Sequence, residues 1–248
     1  MESSRLCAAI LILSGGLACL VAVTLPQAES GSPGGGQRNE DSVLEYLAPA
    51  LSSAGEGARL YYRTECDMRK SKRWDPVPFP RVEVQAPSKG VKGLAGVRAM
   101  FQKNRDVVVT EGPSGIIRIR IGNVLGRILQ TKIRRLTLGF LEQHFPEWTI
   151  YRIGRARGLK AAMRRLHTEA APFSPPLESV RVIRGAPHLP SVMRNVTPEQ
   201  VLDLTVEKFK GIAIYGECTE SSGRRLYRLD YVELPRGRDL ESNGSGRR

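Results

Sequence analysis

The chain has 248 residues and carries 38 Lys and Arg against 25 Asp and Glu, a formal net charge of +13. That balance favours polyanions such as nucleic acid, anionic lipid head groups or acidic wall polymers as partners. Beyond the first 28 residues nothing is apolar enough to span a bilayer, which excludes a protein with several membrane-spanning helices.

At the N-terminus, Glu2 and Arg5 precede an apolar run from Leu6 to Leu25 and then the small residue Ala28. This pattern predicts a secretory signal over 1–28 and a secreted or periplasmic location. The alternative is an uncleaved membrane anchor, since the run approaches the roughly 20 residues that a spanning helix needs. Gly15 and Gly16 in its middle favour cleavage. Residues 29–41 are rich in Gly and Ser and are expected to form a flexible linker, and 235–248 a flexible basic tail. Roughly 190 residues lie between, enough for one large or two small cores.

Cys7 and Cys19 leave with the signal, so Cys66 and Cys218 are the two cysteines of the mature chain. In an oxidising compartment such a pair is expected to form a disulfide, the alternative being two separate buried thiols. Closing a loop of about 150 residues restricts the unfolded chain by roughly 5 kcal/mol on the entropy model.

The first α+β unit spans 42–139. Asp41 or Ser42 is placed to cap a helix in which Val43, Leu44, Tyr46, Leu47 and Leu51 recur at helical spacing. The strand ARLYYRTEC (58–66) follows, then a basic, proline-bearing loop with Trp74 and Phe79 as lids on the core. A short strand RVEVQ (81–85), a helix over GLAGVRAMFQ and two strands, DVVVT and IIRIRI, joined by the turn EGPSG, complete the unit. A helical and proline-rich connector occupies 140–177, with Pro146 breaking or starting a segment. The second unit, 178–234, repeats the order: strand ESVRVIRG, helix TPEQVLDLTVEKFKG, strand IAIYGEC, turn and strand RLYRLDYVEL. Thr197 caps that helix, Pro198 opens it and Gly211 follows it. The expectation is an α+β fold of repeated strand-helix-strand-strand units, with small sheets and helices packed on one face. Both units close an apolar strand on Glu-Cys, which marks those strands as equivalent.

Catalytic and metal chemistry lack a signature. His144, His167 and His188 have no ligand spacing, Ser114 lacks the following glycine of a nucleophile elbow, and Gly90, Gly93 and Gly96 form no phosphate loop. No catalytic residue, metal or cofactor is therefore assigned. Glu65 and Glu217 would make a carboxylate pair if their strands adjoin, although strand-end carboxylates ordinarily point to solvent. Asn195 and Asn243 open N-glycosylation acceptor patterns. In IIRIRI, alternation puts Arg118 and Arg120 on one face and the isoleucines on the other. Together with Arg134 and Arg135, they are the candidate polyanion contacts.

In the last unit, Val196, Thr197, Glu199, Leu202, Leu204, Gly211, Ile212 and Ile214 follow a pattern of capped amphipathic helix, glycine and apolar strand. This resembles the short periplasmic domain at the N-termini of secretins and TonB-dependent receptors, within exported bacterial proteins of no assigned activity. The resemblance implies a small βαβ-type module that docks a partner protein or caps an envelope channel, with no catalytic residues to transfer. No barrel or secretin region follows, which puts a channel role in doubt. The resulting expectation is an exported, non-catalytic binding or adaptor module contacting an envelope protein. The alternatives are polyanion binding through the arginine face, and a hydrolase with an unrecognised site.

Overall fold

The structure, a computed structural model, describes residues 35–66, 77–86, 90–171 and 185–234. The segments expected to be signal and tail, Trp74 and the strand expected at 178–184 lie outside these residues. Helix α1 (Gly35–Ser52) leads into β1 (Ala58–Glu65). Helix α2 (Gly93–Met100) precedes β2 (Val107–Glu111) and β3 (Ile117–Ile121), which are joined by a 3-10 turn. After β4 (Ile133–Thr137) come three short helices, α3 (Phe140–His144), α4 (Pro146–Gly154) and α5 (Arg157–Arg165). The strands β5 (Thr168–Ala170) and β6 (Val192–Val196), helix α6 (Pro198–Phe209) and the strands β7 (Ile212–Thr219) and β8 (Arg225–Val232) complete the α+β fold.

Six strands make one mixed sheet in the order β2-β3-β1-β7-β8-β5, and β4 pairs with β6 in a separate antiparallel ribbon. Strand β1 runs parallel to β3 on one side and to β7 on the other, while β2-β3 and β7-β8 are antiparallel hairpins. The echo in the sequence thus has a spatial meaning: β1 and β7 lie side by side, in register from Ala58 opposite Ile212 to Glu65 opposite Thr219. The pairing also accounts for one of the differences between the echoing runs. Tyr62 sits opposite Gly216, where a Cβ would lie 2.3 Å from the tyrosine Cζ. The Tyr62 ring fills that space, meets Phe79 at 4.9 Å between centroids, and its hydroxyl donates to the Val77 carbonyl at 3.0 Å.

Helices cover both faces of the sheet, which corrects the expectation of one. Alternate residues of a strand point to opposite faces, and β1, β7 and β8 carry apolar side chains at both parities. Leu60, Tyr62, Ile117, Ile119, Ile214 and Leu226 pack against Val43 and Leu47 of α1 and Val97 and Met100 of α2. Tyr61, Ala213, Tyr215, Tyr227 and Leu229 pack instead against Ile150 and Ile153 of α4, Leu159 of α5 and Val201, Leu202 and Val206 of α6. The strand-helix-strand-strand repeat is not reproduced. Residues 81–85 are extended but unpaired, bonding through Gln85 N to Met100 O and through Glu83 N to the Asn104 side chain. With no strand paired to them among the described residues, Val82 and Val84 pack on the core.

Three other local expectations change or sharpen. Helix α1 begins at Gly35, inside the segment expected as a linker, and neither Asp41 nor Ser42 caps it. Glu40, buried to 6% exposure, reaches Arg228 of β8 at 2.8 Å, and this ion pair docks the helix before its apolar positions begin. Pro146 does start a segment, at the first position of α4, and Thr197 caps α6 in a reciprocal box with Gln200. The strands β4 and β6 had no sequence expectation.

Cys66 and Cys218 form the expected disulfide, with Cα atoms 5.2 Å apart. Cys66 directly follows β1 and its N–H donates to the Thr219 carbonyl, so the bridge closes the carboxyl ends of the two central strands. Alkylation of the oxidised protein without reductant should modify neither cysteine, as read by mass. Replacing both by Ala should lower stability by about 2–5 kcal/mol in urea denaturation with the fold retained.

Candidate functional site

Two charged constructions occupy the α6 side of the sheet. The first lies beneath α6, whose Glu199, Asp203 and Glu207 recur every four residues and so form one row. Asp203 accepts Arg59 Nη1 through Oδ1 and Arg118 Nη2 through Oδ2, each at 2.6 Å. Glu199 lies 3.7 Å from Arg118, accepts the Tyr61 hydroxyl at 3.4 Å and also accepts the Gln130 amide, while Glu207 accepts Ser114 Oγ at 3.1 Å. Arg59 is fully buried, stacks at 4.6 Å over the Tyr61 ring and donates a further bond to the Glu199 carbonyl. Its Nε and Nη2 reach no acceptor among the described residues, so one carboxylate carries most of the compensation for a buried cation.

The second construction is open to solvent. Because β1, β3 and β7 are parallel, their carboxyl ends meet at one end of the sheet, where ligand sites of open α/β sheets gather. The loop after β3 is fixed there from beneath. Glu217 of β7 accepts the N–H groups of Leu125 and Gly126 at 2.6 and 3.2 Å, and Arg63 of β1 donates to the Asn123 carbonyl at 3.3 Å. Glu217 also accepts the hydroxyl of Tyr215, whose phenol is pushed up by its burial. A cavity of about 20 Å³, room for about one water, separates this loop from Leu166 and Tyr215.

The fixed loop presents Arg127 to an open groove of about 1120 Å³. Helix α5 contributes Lys160, Arg164 and Arg165, and the β7–β8 turn contributes Arg224 and Arg225. His167 lies at the junction of α5 and β5, with a left-handed φ of 48°. One lining carboxylate, Glu169, bonds to Arg224 and raises that guanidinium above its usual value. Arg127, Lys160, Arg164, Arg165 and Arg225 have no ion pair or side-chain hydrogen bond to any described residue. Five uncompensated cations in one concavity make a strong local attraction for an anion.

The structure does not gather the four candidate arginines into one site. Arg118 is half-buried and committed to Asp203, Arg120 is exposed on β3, and Arg134 and Arg135 are exposed on β4 of the separate ribbon. The alternation expected in β3 holds, with Ile117, Ile119 and Ile121 buried. Glu65 is exposed and Glu217 holds a loop, so the carboxylate pair does not converge. His144 and His188 stack at 5.7 Å between ring centroids, but no group of three metal-ligating side chains occurs among the described residues. The groove cations escaped the sequence reading because they come from three distant segments. The available signal was in α5, where Arg157, Lys160 and Arg164 recur opposite the buried Leu159 and Ala162.

Comparison of the chain with protein-family models, curated proteins and solved structures finds no match. No helix among the described residues is long and apolar enough to cross a membrane.

Asp203→Asn should cost about 3–5 kcal/mol in urea denaturation, because it leaves the buried Arg59 charge unanswered, whereas Arg59→Met should cost far less. Equal losses would show that the network does not depend on Asp203 in this way. A pH effect follows from the tyrosines. Burial pushes the Tyr61 and Tyr227 phenols up to about 12, so the unfolded state loses these protons first, near 10. Their contribution to stability is full below about pH 10 and is lost as the pH rises towards 12. Tyr227→Phe should flatten that alkaline decline in thermal melts taken across the range.

Proposed function

We propose that this chain is an exported, non-catalytic binding module that captures a polyanion in the groove at the carboxyl ends of its parallel strands. The observation that carries the reading is the set of five cations, Arg127, Lys160, Arg164, Arg165 and Arg225, held in one concavity without an ion pair to any described residue, the one lining carboxylate, Glu169, being bonded to Arg224. The groove has no Phe, Tyr or Trp among its lining residues, so the ligand is held mainly through its charges rather than by stacking. The disulfide supports an oxidising, exported setting for the binding. The contacts differ from the arginine stripe suggested by the sequence, since Arg118 is already neutralised by α6.

A second reading, docking of an envelope protein, is favoured by one surface. Phe140, 60% exposed, lies beside His144, and Val192 is exposed on the strand paired with β4. Backbone bonds from Leu138 to Ser191 and from Leu189 to Gln143 hold these segments together, so the apolar side chains form one patch of the kind that marks protein contacts.

With duplex DNA as the polyanion probe, binding should weaken steeply with salt. The triple change of Arg127, Arg164 and Arg165 to Gln should reduce the slope of log K against log salt by about 3, leaving the melting temperature near that of the parent. An unchanged slope would remove the groove from the binding surface, and an additional loss on replacing Phe140 by Ser would shift weight to the apolar patch.

A further inference from the structure

Three features of the basic surface run against local stability. Helix α5 contains no acidic residue, has no side-chain cap and opens on Arg157, a cation at the positive end of the helix dipole. Along its exposed face Arg157, Lys160 and Arg164 stand three and four residues apart, a spacing at which like charges repel. In the ribbon, Arg135 of β4 lies directly opposite Arg194 of β6, and like charges at facing positions destabilise a strand pair. Arg134, Arg135, Arg157 and Arg194 are all exposed and have no side-chain partner among the described residues.

These places are continuous. Arg164 and Arg165, at the carboxyl end of α5, line the groove. The other end of the helix packs on the start of β4, where the Cβ position of Gly158 lies 3.1 Å from the Lys132 carbonyl. The helix spans about 14 Å at its ordinary rise, so its exposed cations bridge the groove to the ribbon. A small anion would occupy only the groove, beside Lys160 and Arg164, and leave Arg157 and the facing pair Arg135 and Arg194 unneutralised. A linear chain of charges laid along the helix neutralises them all.

We propose that the groove is one end of a basic track that continues along α5 to the β4-β6 ribbon, and that its ligand is an extended phosphate polymer rather than a small anion. The inference rests on the groove reading above. Phosphate is favoured because the cations are mostly arginines, whose planar forks bind phosphate oxygens in pairs, and repeated phosphates give charges along one chain.

The test compares long-chain polyphosphate with tripolyphosphate, by calorimetry on the mature protein and on a variant with Arg134, Arg135 and Arg194 changed to Gln. The long chain should bind the parent at least about tenfold more tightly than tripolyphosphate, and the variant should lose about tenfold for the long chain but less than about twofold for tripolyphosphate. Equal affinity for both lengths, or no length-selective loss in the variant, overturns the track while tripolyphosphate binding still supports the groove. Binding of neither overturns the groove reading itself. Tighter binding of poly-glutamate or of anionic phospholipid vesicles than of long-chain polyphosphate overturns the phosphate-polymer assignment. Far-ultraviolet circular dichroism shows that the variant is folded, since all three side chains are exposed.

Discussion

The pairing of β1 with β7 is the constraint on which the rest of the structure depends. These two strands come from opposite ends of the described chain, run parallel over eight residues and form the middle of the six-stranded sheet. Parallel neighbours bring their carboxyl ends to the same edge, so the loop after β3 and the turn after β7 meet at one end of the sheet. The groove exists because of that convergence. The disulfide from Cys66 to Cys218 fastens the two strands at the same end, where a slip of one residue would turn every side chain of β1 to the wrong face.

The faces of the sheet divide labour. One packs α1 and α2 over isoleucine, leucine and the Tyr62 ring, for which Gly216 leaves room, and carries the ion pairs of Arg228 with Glu40 of α1 and with Asp230. The other mixes apolar packing with the Asp203 network, which secures α6 over Arg59 and Arg118. In the network, cations of the sheet meet carboxylates of a helix and cancel. At the end of the sheet, the helix supplies further cations and the local charge is left uncompensated. Whether an arginine is neutralised therefore depends on what faces it: Arg59 and Arg118 meet the carboxylates of α6, whereas Arg164 and Arg165 belong to α5, which has none. Similarly, Glu217 belongs to the scaffold: it anchors the loop that carries Arg127.

Local signals determined much of this protein. Period-two alternation identified β3 and β8, apolar runs closing on Glu-Cys identified β1 and β7, and helical spacing with Thr197, Pro198 and Gly211 delimited α6, because capping and side-chain periodicity act over a few residues. The α+β class followed from those elements, and Cys66 and Cys218, the two cysteines beyond the first 28 residues, pointed to the bridge. Tertiary structure decided which strands adjoin, that helices cover both faces, that residues 81–85 stay unpaired, and that α1 starts at Gly35 once Glu40 finds Arg228. It also separated Arg118, held by Asp203, from Arg127, Lys160, Arg164, Arg165 and Arg225, which form no ion pair among the described residues. The physical reason is range: hydrogen bonds within a turn or a strand are written in neighbouring residues, whereas the field around a guanidinium depends on side chains brought near it from distant parts of the chain.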